Sequence, residues 1–384
     1  MPGAVQRSAI IGGGIGGLCT AIALSQIGVE TIVYEQAEKL SPAGAGLTLW
    51  ANAIKVLRQL GVADAVIEAG SRIERGEIRT AGGWTLSRSQ PGALEQLFGE
   101  PTIAIHRADL HDILLSMLPA DTLRLGAKCV RIEQELDEAA VIFADGRSER
   151  ADLIVGADGV HSIMRQQLFP DVQLRYAGYT AWRGVVATQD ESALGLTSES
   201  WGRGSRFGIV RIDRERIYWF ATANTPAGRT QTAAERKSFL LERFGGWHHP
   251  VKLLIESTPA GEILHNDIYD LKPLQQWGAG HVVLLGDAAH PTTPNMGQGA
   301  CMAIESSLVL ARCLSQENNL AQAVKCYEAA RMPRTAWITE QSWKLGRVGQ
   351  LENSLVRAAR DFLVRVTPER IMMRALEKAA GYEI

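Results

Sequence analysis

The sequence predicts an α/β fold in which a mixed β-sheet domain is inserted into a domain built on a parallel sheet, followed by a C-terminal helical region. Near the N-terminus, a short buried strand runs through a glycine-rich turn into an apolar helix and a second strand. Two later apolar runs of strand length, residues 151–155 and 281–285, each stop at a Gly/Asp turn. The 384 residues exceed the usual ~100–200 of one domain, which favours two domains.

The composition suits a globular protein rather than a membrane-embedded or disordered one, since 46% of the residues are hydrophobic. A net charge of −2 argues against a dedicated nucleic-acid binder. The five cysteines form no CxxC pair or metal-ligand cluster, which indicates a reducing compartment and no metal site. The N-terminus has no signal-peptide pattern, and no stretch of about 20 apolar residues is present. We therefore expect a cytoplasmic protein.

The first element is a βαβ unit that carries a GxGxxG motif. Residues 8–12 form its first strand, and the second strand, Glu30–Tyr34, ends directly before Glu35. In such a unit the glycines allow a tight turn and close approach of a pyrophosphate to the helix N-terminus, while the acid accepts hydrogen bonds from ribose hydroxyls. A glycine-rich turn that only packs helix on sheet would leave Glu35 unexplained. The motif residues are Gly12, Gly13, Gly14, Ile15, Gly16 and Gly17.

The segments 73–105 and 172–270 have β character, with runs such as RFGIVRI and RIYWFAT, and helices are expected around 232–256. We interpret them as the inserted mixed sheet. Beyond it, the strand at 281–285 precedes a Gly-Asp turn, and from Gly297 onward the chain is predicted to be helical almost to its end.

Two later motifs complete the pattern. Gly156-Ala157-Asp158-Gly159 ends one apolar strand, and Gly286-Asp287-Ala288-Ala289-His290-Pro291 ends another. Either aspartate alone could be a turn former or a helix cap. Together, and in this order, the three motifs resemble the signatures of the class A flavoprotein monooxygenases, which have the para-hydroxybenzoate hydroxylase fold. The resemblance covers about residues 8–350.

The resemblance implies a Rossmann-like FAD-binding domain and an inserted mixed β-sheet substrate domain. It places the FAD-binding domain at 1–72, 106–171 and 271–345, the substrate domain at 73–105 and 172–270, and C-terminal helices at 346–384. Bound FAD would be reduced by NAD(P)H that docks transiently, because only one complete nucleotide fingerprint is present.

The resemblance also assigns cofactor contacts. Asp287 would hydrogen-bond the ribityl chain, and Asp158 and Gly159 are associated with both FAD and NAD(P)H. Arg107, which matches an HRxxL pattern, would reach the flavin's phosphate and ribityl region, although alone it could be a surface ion pair. Val130, on the strand KCVRI, would contact the adenine side through its backbone.

The loop after the Gly-Asp motif is shaped by prolines and glycines and leads into a long helix. The free N–H groups and partial positive charge of that helix start would stabilise the anionic N1/O2 edge of a reduced flavin. A capped turn alone does not explain why this loop directly follows the motif. The cofactor-binding candidates here are Pro294, Gly297, Gln298 and Gly299.

The inserted sheet is expected to cover the flavin ring and form the substrate pocket, because ligands gather at domain interfaces. Arg206 and Tyr218 fall where FAD-dependent urate hydroxylases keep an arginine and a tyrosine, and they are the predicted catalytic residues. The segments WGRGSRFG, HND (His265 to Asp267) and QSWKLGRVGQ look more like 2-alkyl-4-quinolone 3-hydroxylases, which indicates a flat, partly apolar heteroaromatic substrate. The substrate-binding candidates are Trp182, Arg183, Arg206, Tyr218, Asn295 and Met296, with Trp219 beside Tyr218.

Core packing is the alternative for each aromatic candidate, since aromatic residues at strand spacing are usually core. His265 and His290 are expected to be structural rather than acid/base groups. The tail from 351 to 380 is a basic amphipathic segment. It could bind anionic lipid, but docking onto the FAD domain or a second subunit is expected instead, in a monomer or homodimer.

The resemblance implies a monooxygenase that uses NAD(P)H and O2 to hydroxylate a small aromatic or heteroaromatic substrate through a C4a-hydroperoxyflavin. Three alternatives stay open from the sequence. The enzyme could epoxidise or hydroxylate a lipid or polyprenyl compound, inactivate an antibiotic by hydroxylation, or be a flavin-binding reductase or non-catalytic flavoprotein without coupled O2 consumption.

Overall fold

The computed structural model describes residues 5–40, 45–188 and 194–383. In chain order the strands are β1 (Arg7–Ile11), β2 (Glu30–Tyr34), β3 (Gly46–Leu49), β4 (Ser71–Arg72), β5 (Arg75–Thr80), β6 (Thr85–Ser89), β7 (Ile103–His106), β8 (Leu123–Arg124), β9 (Cys129–Gln134), β10 (Ala139–Phe143), β11 (Ser148–Ala151), β12 (Leu153–Gly156), β13 (Arg175–Ala187), β14 (Leu196–Trp201), β15 (Ser205–Arg211), β16 (Arg216–Asn224), β17 (Leu264–Asp270), β18 (Gly278–Ala279) and β19 (Val282–Leu284).

The α-helices are α1 (Ile15–Gln26), α2 (Ala51–Gln59), α3 (Ala63–Ala69), α4 (Gly92–Phe98), α5 (Arg107–Ser116), α6 (Ile163–Leu168), α7 (Ala233–Phe244), α8 (Val251–Ser257), α9 (Gly299–Gln316), α10 (Leu320–Gly349), α11 (Ser354–Val366) and α12 (Glu369–Ala380). Short 3-10 helices occur at Ala260–Glu262, Gly286–Ala288 and Pro294–Met296.

The first sheet has six strands in the order β18-β19-β12-β1-β2-β8, and all of its neighbours are parallel except β18 and β19. The expected βαβ unit is confirmed, because α1 connects β1 to the parallel strand β2. Helix α1 is apolar on nearly all sides since it lies between this sheet and α9, which buries residues from Ile15 to Leu24. The carboxyl ends of β1, β12 and β19 carry the three sequence motifs to one edge of the sheet.

The second large sheet is mixed and has seven strands in the order β17-β13-β16-β15-β14-β5-β6, in which only β14 and β5 are parallel. Both predicted segments contribute, since β5 and β6 come from the first and the other strands from the second. Strand β7, at the end of the first segment, instead pairs with β3 and β4 in a small antiparallel sheet. A second small sheet, β11-β10-β9, flanks the parallel sheet. Residue Ala151 ends β11, so the buried parallel strand begins later than predicted, at Leu153.

The two faces of the mixed sheet have different neighbours, because successive side chains on a strand point to opposite faces. One face is covered by α7 and α8 and forms a closed apolar cluster that includes Trp182, Phe207 and Trp219. The other face carries Tyr179, Arg206 and Tyr218, and it turns toward the nucleotide-binding part of the chain.

The C-terminal region is helical as predicted, with α9, α10, α11 and α12 in succession. Helix α10 packs along α9 and against the turn at Pro294–Met296. The end of α12 docks onto the same layer, where Ala379 joins Met302 and Ile338 in a small buried cluster. Within the described residues, no helix combines the length and apolar character needed to cross a bilayer.

Candidate active site

The glycine-rich turn at the start of α1 needs glycine at two positions for steric reasons. Gly12 has φ +112°, and a Cβ there would lie 2.3 Å from the carbonyl oxygen of Ala157. A Cβ at Gly17 would lie 2.0 Å from the carbonyl oxygen of Gly12. Gly14 differs, since a Cβ at this position would meet nothing within 4 Å. The turn is therefore closed on its protein side and open at Gly14, the side from which a pyrophosphate can approach the free N–H groups of α1.

The carboxylate of Glu35 is held beside this turn by the backbone N–H groups of two other residues. One carboxylate oxygen accepts a hydrogen bond from the Gly13 N–H at 2.9 Å, and the other accepts from the Ala37 N–H at 2.9 Å. Each oxygen keeps a further lone pair for a ligand hydroxyl. The geometry is thus compatible with the expected ribose contact, which stays a prediction.

Asp158 acts as a helix cap in the structure. Its Oδ2 accepts from the backbone N–H groups of Ile163 and Met164, at 2.8 and 3.2 Å, at the start of α6. Its Oδ1 is buried without a hydrogen-bond partner among the described residues. Burial raises the pKa of Asp158, whereas hydrogen bonds from Ser162 and the α6 backbone oppose the shift. The capping alternative is therefore correct for one oxygen, and the other remains available to a ligand polar group.

Arg165 joins the second and third motifs, and the sequence analysis did not identify it. Its guanidinium, 2% exposed, donates to the carbonyl oxygens of Ala288 at 2.9 Å, Asp287 at 3.3 Å and Val160 at 2.5 Å. These bonds fix the turn after β12 against the turn after β19. A lone arginine on a short helix gives no sequence signal for such a role.

Asp287 lies in a cleft, where its side chain is accessible to solvent but closely surrounded by protein. That environment raises its pKa, and the cations of Arg107 and Arg165 partly offset the effect. Arg107 begins α5 and is exposed, and its positive charge is near enough to Asp287 to act on its pKa. The two predicted residues are therefore near enough to interact electrostatically, and their shared flavin contact stays a prediction.

Val130 lies at an irregular point of β9, between Cys129 and Arg131, whose pairing with β10 shifts register there. Its side chain is exposed. The neighbouring Cys129 is close enough to Asp158 for the carboxylate to contribute to its raised pKa. Val130 is therefore next to a residue that lies near the second motif, and its adenine contact stays a prediction.

The loop after the third motif closes the other side of the cleft. Gly297 has φ +61°, which ends the 3-10 turn Pro294–Met296, and α9 begins at Gly299 with Gln298 before it. Gln298 is buried and accepts a 3.0 Å hydrogen bond from Asn52 through Oε1, while its Nε2 has no partner among the described residues. The first N–H groups of α9 have no partner within the helix. Met296 packs toward Met302 and Ile338, into the protein interior.

These features fit FAD. A dinucleotide needs an open glycine turn at a helix start, which Gly14 provides, and polar groups without protein partners along its length. The unpartnered Oδ1 of Asp158, the accessible Asp287 and the unpartnered Nε2 of Gln298 follow one another along the edge formed by the three motifs.

Arg206 forms the centre of a buried network on the cleft-facing side of the mixed sheet. Its side chain is only 3% exposed. It donates to Asn295 Oδ1 at 2.6 Å, Glu199 Oε1 at 3.0 Å and Gln350 Oε1 at 3.1 Å. Asn295 also accepts from the hydroxyl of Tyr179 at 3.2 Å and donates to Thr293 and Ser342. Arg206 therefore ties the substrate sheet to the loop beside the flavin site and to the end of α10.

Tyr218 lies further along the same face, against the loop that follows β2. A Cβ at Gly46 would lie 2.5 Å from the Tyr218 ring, so the two segments are in direct contact. Burial raises the pKa of Tyr218, and a hydrogen bond with Arg183 opposes this shift. Ile73, Val210 and the half-buried Phe220 complete an apolar cluster around the ring. Arg183 and Tyr218 are thus brought together, at a distance along the sheet from the Arg206 network.

Trp182 and Trp219 are not brought to this site. Trp182 is fully buried on the helix-covered face, where it stacks on His265 with ring centroids 5.2 Å apart. Trp219 stacks on Phe207 in the same cluster. The structure thus corrects the expectation that these two residues line the pocket, because strand alternation puts them opposite Arg183 and Tyr218.

Of the two singled-out histidines, His290 is buried and His265 is half-buried. Burial lowers the pKa of His265, and it lowers the pKa of His290 to about 3. His290 Nε2 contacts Ser306 Oγ at 3.1 Å, and its ring packs on Trp277. Neither ring is positioned with the Arg206 network.

The sequence analysis also missed Tyr179 and Glu199 and did not single out Gln350, which together contribute three side chains to the Arg206 network. A signal for Tyr179 existed. It is separated by even steps from Ala181 and Arg183 on β13, so strand alternation puts it on the cleft-facing side. Glu199 and Gln350 carry no comparable pattern.

Comparisons with known proteins agree with this geometry. The family model described as FAD binding domain matches residues 6–342. The aurachin C monooxygenase/isomerase of Stigmatella aurantiaca is 44% identical over 357 residues, which cover 93% of each chain. The 2-heptyl-3-hydroxy-4(1H)-quinolone synthase of Pseudomonas aeruginosa is 34% identical over 369 residues, which cover 94% of each chain. The solved structure of Klebsiella pneumoniae HpxO with FAD and uric acid superposes with a TM-score of 0.89 at 30% identity, covering 97% of this chain and 96% of that one. The predicted fold class is confirmed.

Proposed function

Because the chain belongs to the FAD binding domain family and is an FAD-dependent monooxygenase, we propose that it hydroxylates a neutral, flat heteroaromatic ring of the 4-quinolone type. When bound, FAD reduced by NAD(P)H would activate O2, so that one oxygen atom is transferred to the ring and the other leaves as water. The protein residues described below orient the ring and keep water away from the reacting atoms.

The state of Arg206 carries the proposal. Its guanidinium is paired with the Glu199 carboxylate and has further bonds to Asn295 and Gln350. A buried cation whose charge is already compensated gives little attraction to an anion, and an anionic ring would also meet the carboxylate of Glu199. This favours a neutral ring over an anionic one such as urate.

We assign Arg206 a positioning role. It holds Asn295, and through it the turn Pro294–Met296, beside the flavin site. The same cation lies 5.4 Å from the centroid of the Tyr179 ring and supports that aromatic surface. Loss of Arg206 would leave FAD contacts elsewhere intact but displace the loop against which the substrate packs.

We assign Tyr218 a direct contact with the substrate. Its hydroxyl accepts a hydrogen bond from Arg183, and its raised pKa keeps it protonated at neutral pH. The O–H can therefore donate to a ring carbonyl oxygen. Phe220 and Val210, on the same face, supply apolar area for the flat ring and for an attached alkyl chain.

The test is a substrate screen with the purified yellow protein. We expect 2-heptyl-4-quinolone to stimulate NAD(P)H oxidation and to yield a product heavier by one oxygen atom, whereas urate should give neither. Stimulation by urate with oxygen insertion, or oxidation without insertion for every heteroaromatic ring tested, would contradict the proposal.

Two variants separate the assigned roles. Tyr218→Phe removes one hydrogen bond to the substrate, so KM should rise about fivefold to tenfold with FAD retained. Trp182→Phe, on the opposite face, is the matched control and should leave KM unchanged. Equal effects of the two substitutions would refute the contact assigned to Tyr218.

A further inference from the structure

Helix α11 turns the side that carries Arg360 and Asp361 inward and an apolar side outward. On the inner side Arg360 is buried over the ring of Trp201, 5.0 Å from its centroid, and it pairs with Asp361 at 2.7 Å. Its guanidinium also donates to the carbonyl oxygens of Val348 and Gly349, both at 3.3 Å. These contacts fix the helix rotation, so the orientation follows from the packing of the protein itself.

The outer side of α11 forms a continuous apolar stripe. Leu355 is 80% exposed, Phe362 64%, Leu363 60% and Val366 53%, and the small residue Ala359 lies between them. Their spacing puts all of them on one helix face. Monomeric soluble proteins rarely present such a stripe without a partner, because each exposed side chain forfeits burial. The helix is about 20 Å long and too short to span a bilayer.

The charges beside the stripe are mainly positive. Arg365 lies on α11 itself, and Arg370 and Arg374 lie on α12, which follows after two residues. Among the described side chains of residues 354–380, Glu369 is the one exposed acid. Ile371, 57% exposed, extends the apolar area onto α12.

We propose that the outer face of α11, with the arginines of α12, docks onto an anionic lipid surface. The helix would lie in the plane of the interface, with Phe362 and Leu363 in the acyl region and the arginines at the phosphate level. A second copy of this chain is the competing occupant. It fits less well, because a two-fold contact would bring these arginines against one another. The C-terminal end of α12 docks onto the nucleotide-binding layer, as the sequence analysis expected of the tail, but the face of α11 does not.

The test is co-sedimentation of the FAD-loaded full chain with vesicles of phosphatidylcholine, with or without about one third phosphatidylglycerol. We expect binding to the anionic vesicles that weakens with salt, and little binding to phosphatidylcholine alone. Replacing Phe362 and Leu363 together by glutamate should weaken binding at least about tenfold. Arg365→Gln with Arg370→Gln should lower it most at low salt.

The matched control is Leu136→Glu, a substitution at a 96% exposed leucine in the β9–β10 turn. It should bind vesicles as the unsubstituted protein does. All variants should retain FAD and the same urea midpoint, since the altered side chains are exposed. Absence of vesicle binding overturns the proposal, as does equal binding by the Phe362/Leu363 variant. A dimer in solution that this variant dissociates, without vesicle binding, would identify the second copy as the occupant instead.

Discussion

Alanine at Gly12 should lower the stability of the protein, whereas alanine at Gly14 should leave stability nearly unchanged and lower the affinity for FAD. At Gly12 the new Cβ would lie 2.3 Å from the Ala157 carbonyl oxygen with φ at +112°. The backbone conformation costs about 1–2 kcal/mol and the forced shift about 1–3 more, out of a total stability of roughly 5–15 kcal/mol. At Gly14 the Cβ meets no protein atom within 4 Å, so the apoprotein should lose less than about 1 kcal/mol.

FAD affinity should fall at least about tenfold for Gly14→Ala, because its Cβ projects into the side from which the pyrophosphate approaches. The assay pairs urea unfolding of the flavin-free protein with fluorescence titration of FAD. Gly28→Ala, where φ is +81° and the space is open, controls for the conformational cost alone. Equal loss of stability at Gly12 and Gly14, or unchanged FAD affinity in Gly14→Ala, would refute the reasoning.

Three further predictions concern single side chains. Asp287→Ala should lose most bound FAD on gel filtration, whereas Asp287→Asn, which keeps an acceptor oxygen, should retain part of it; full retention by both would remove the ribityl assignment. A double-mutant cycle of Arg206→Met and Asn295→Leu, measured by urea unfolding, should give a coupling of about 1.5–3 kcal/mol, and a value near zero would mean that the bond contributes nothing. The pKa of buried His290 is lowered to about 3, so the unfolded state binds a proton first and stability falls as pH drops below the ordinary value of 6.5. Between about pH 8 and about pH 5, the unsubstituted protein should therefore lose about 2 kcal/mol more than His290→Gln, and parallel pH profiles would contradict this.

The fold was predictable from the sequence because its signals are local. Strand β2 occurs where it was expected, at Glu30–Tyr34, and α7 and all but the last residue of α8 fall within the helical stretch predicted at 232–256. Boundaries were less accurate. The parallel strand β12 starts at Leu153 because Ala151 is taken by the antiparallel strand β11, and only the pairing partners decide between the two.

The candidate site was predicted unevenly. The cofactor side depends on backbone shape, and Gly12 and Gly17 cannot be replaced without a clash, so the motif is visible in the sequence. The substrate side depends on which face of the sheet is open. Trp182 and Arg183 are adjacent on one strand and cannot both face the cleft, and the residue pattern alone did not say which face the helices α7 and α8 would cover.

The sequence by itself determined the nucleotide-binding turn, the order of the three motifs and the helical C-terminus, since each follows from steric or periodic constraints within a few residues. Only the tertiary structure decided the partners of Arg206, because Asn295 and Gln350 are 89 and 144 residues away along the chain. It also decided that α11 turns its apolar side outward. A helix pattern fixes that two faces differ, but which face is buried depends on the surface against which the helix packs.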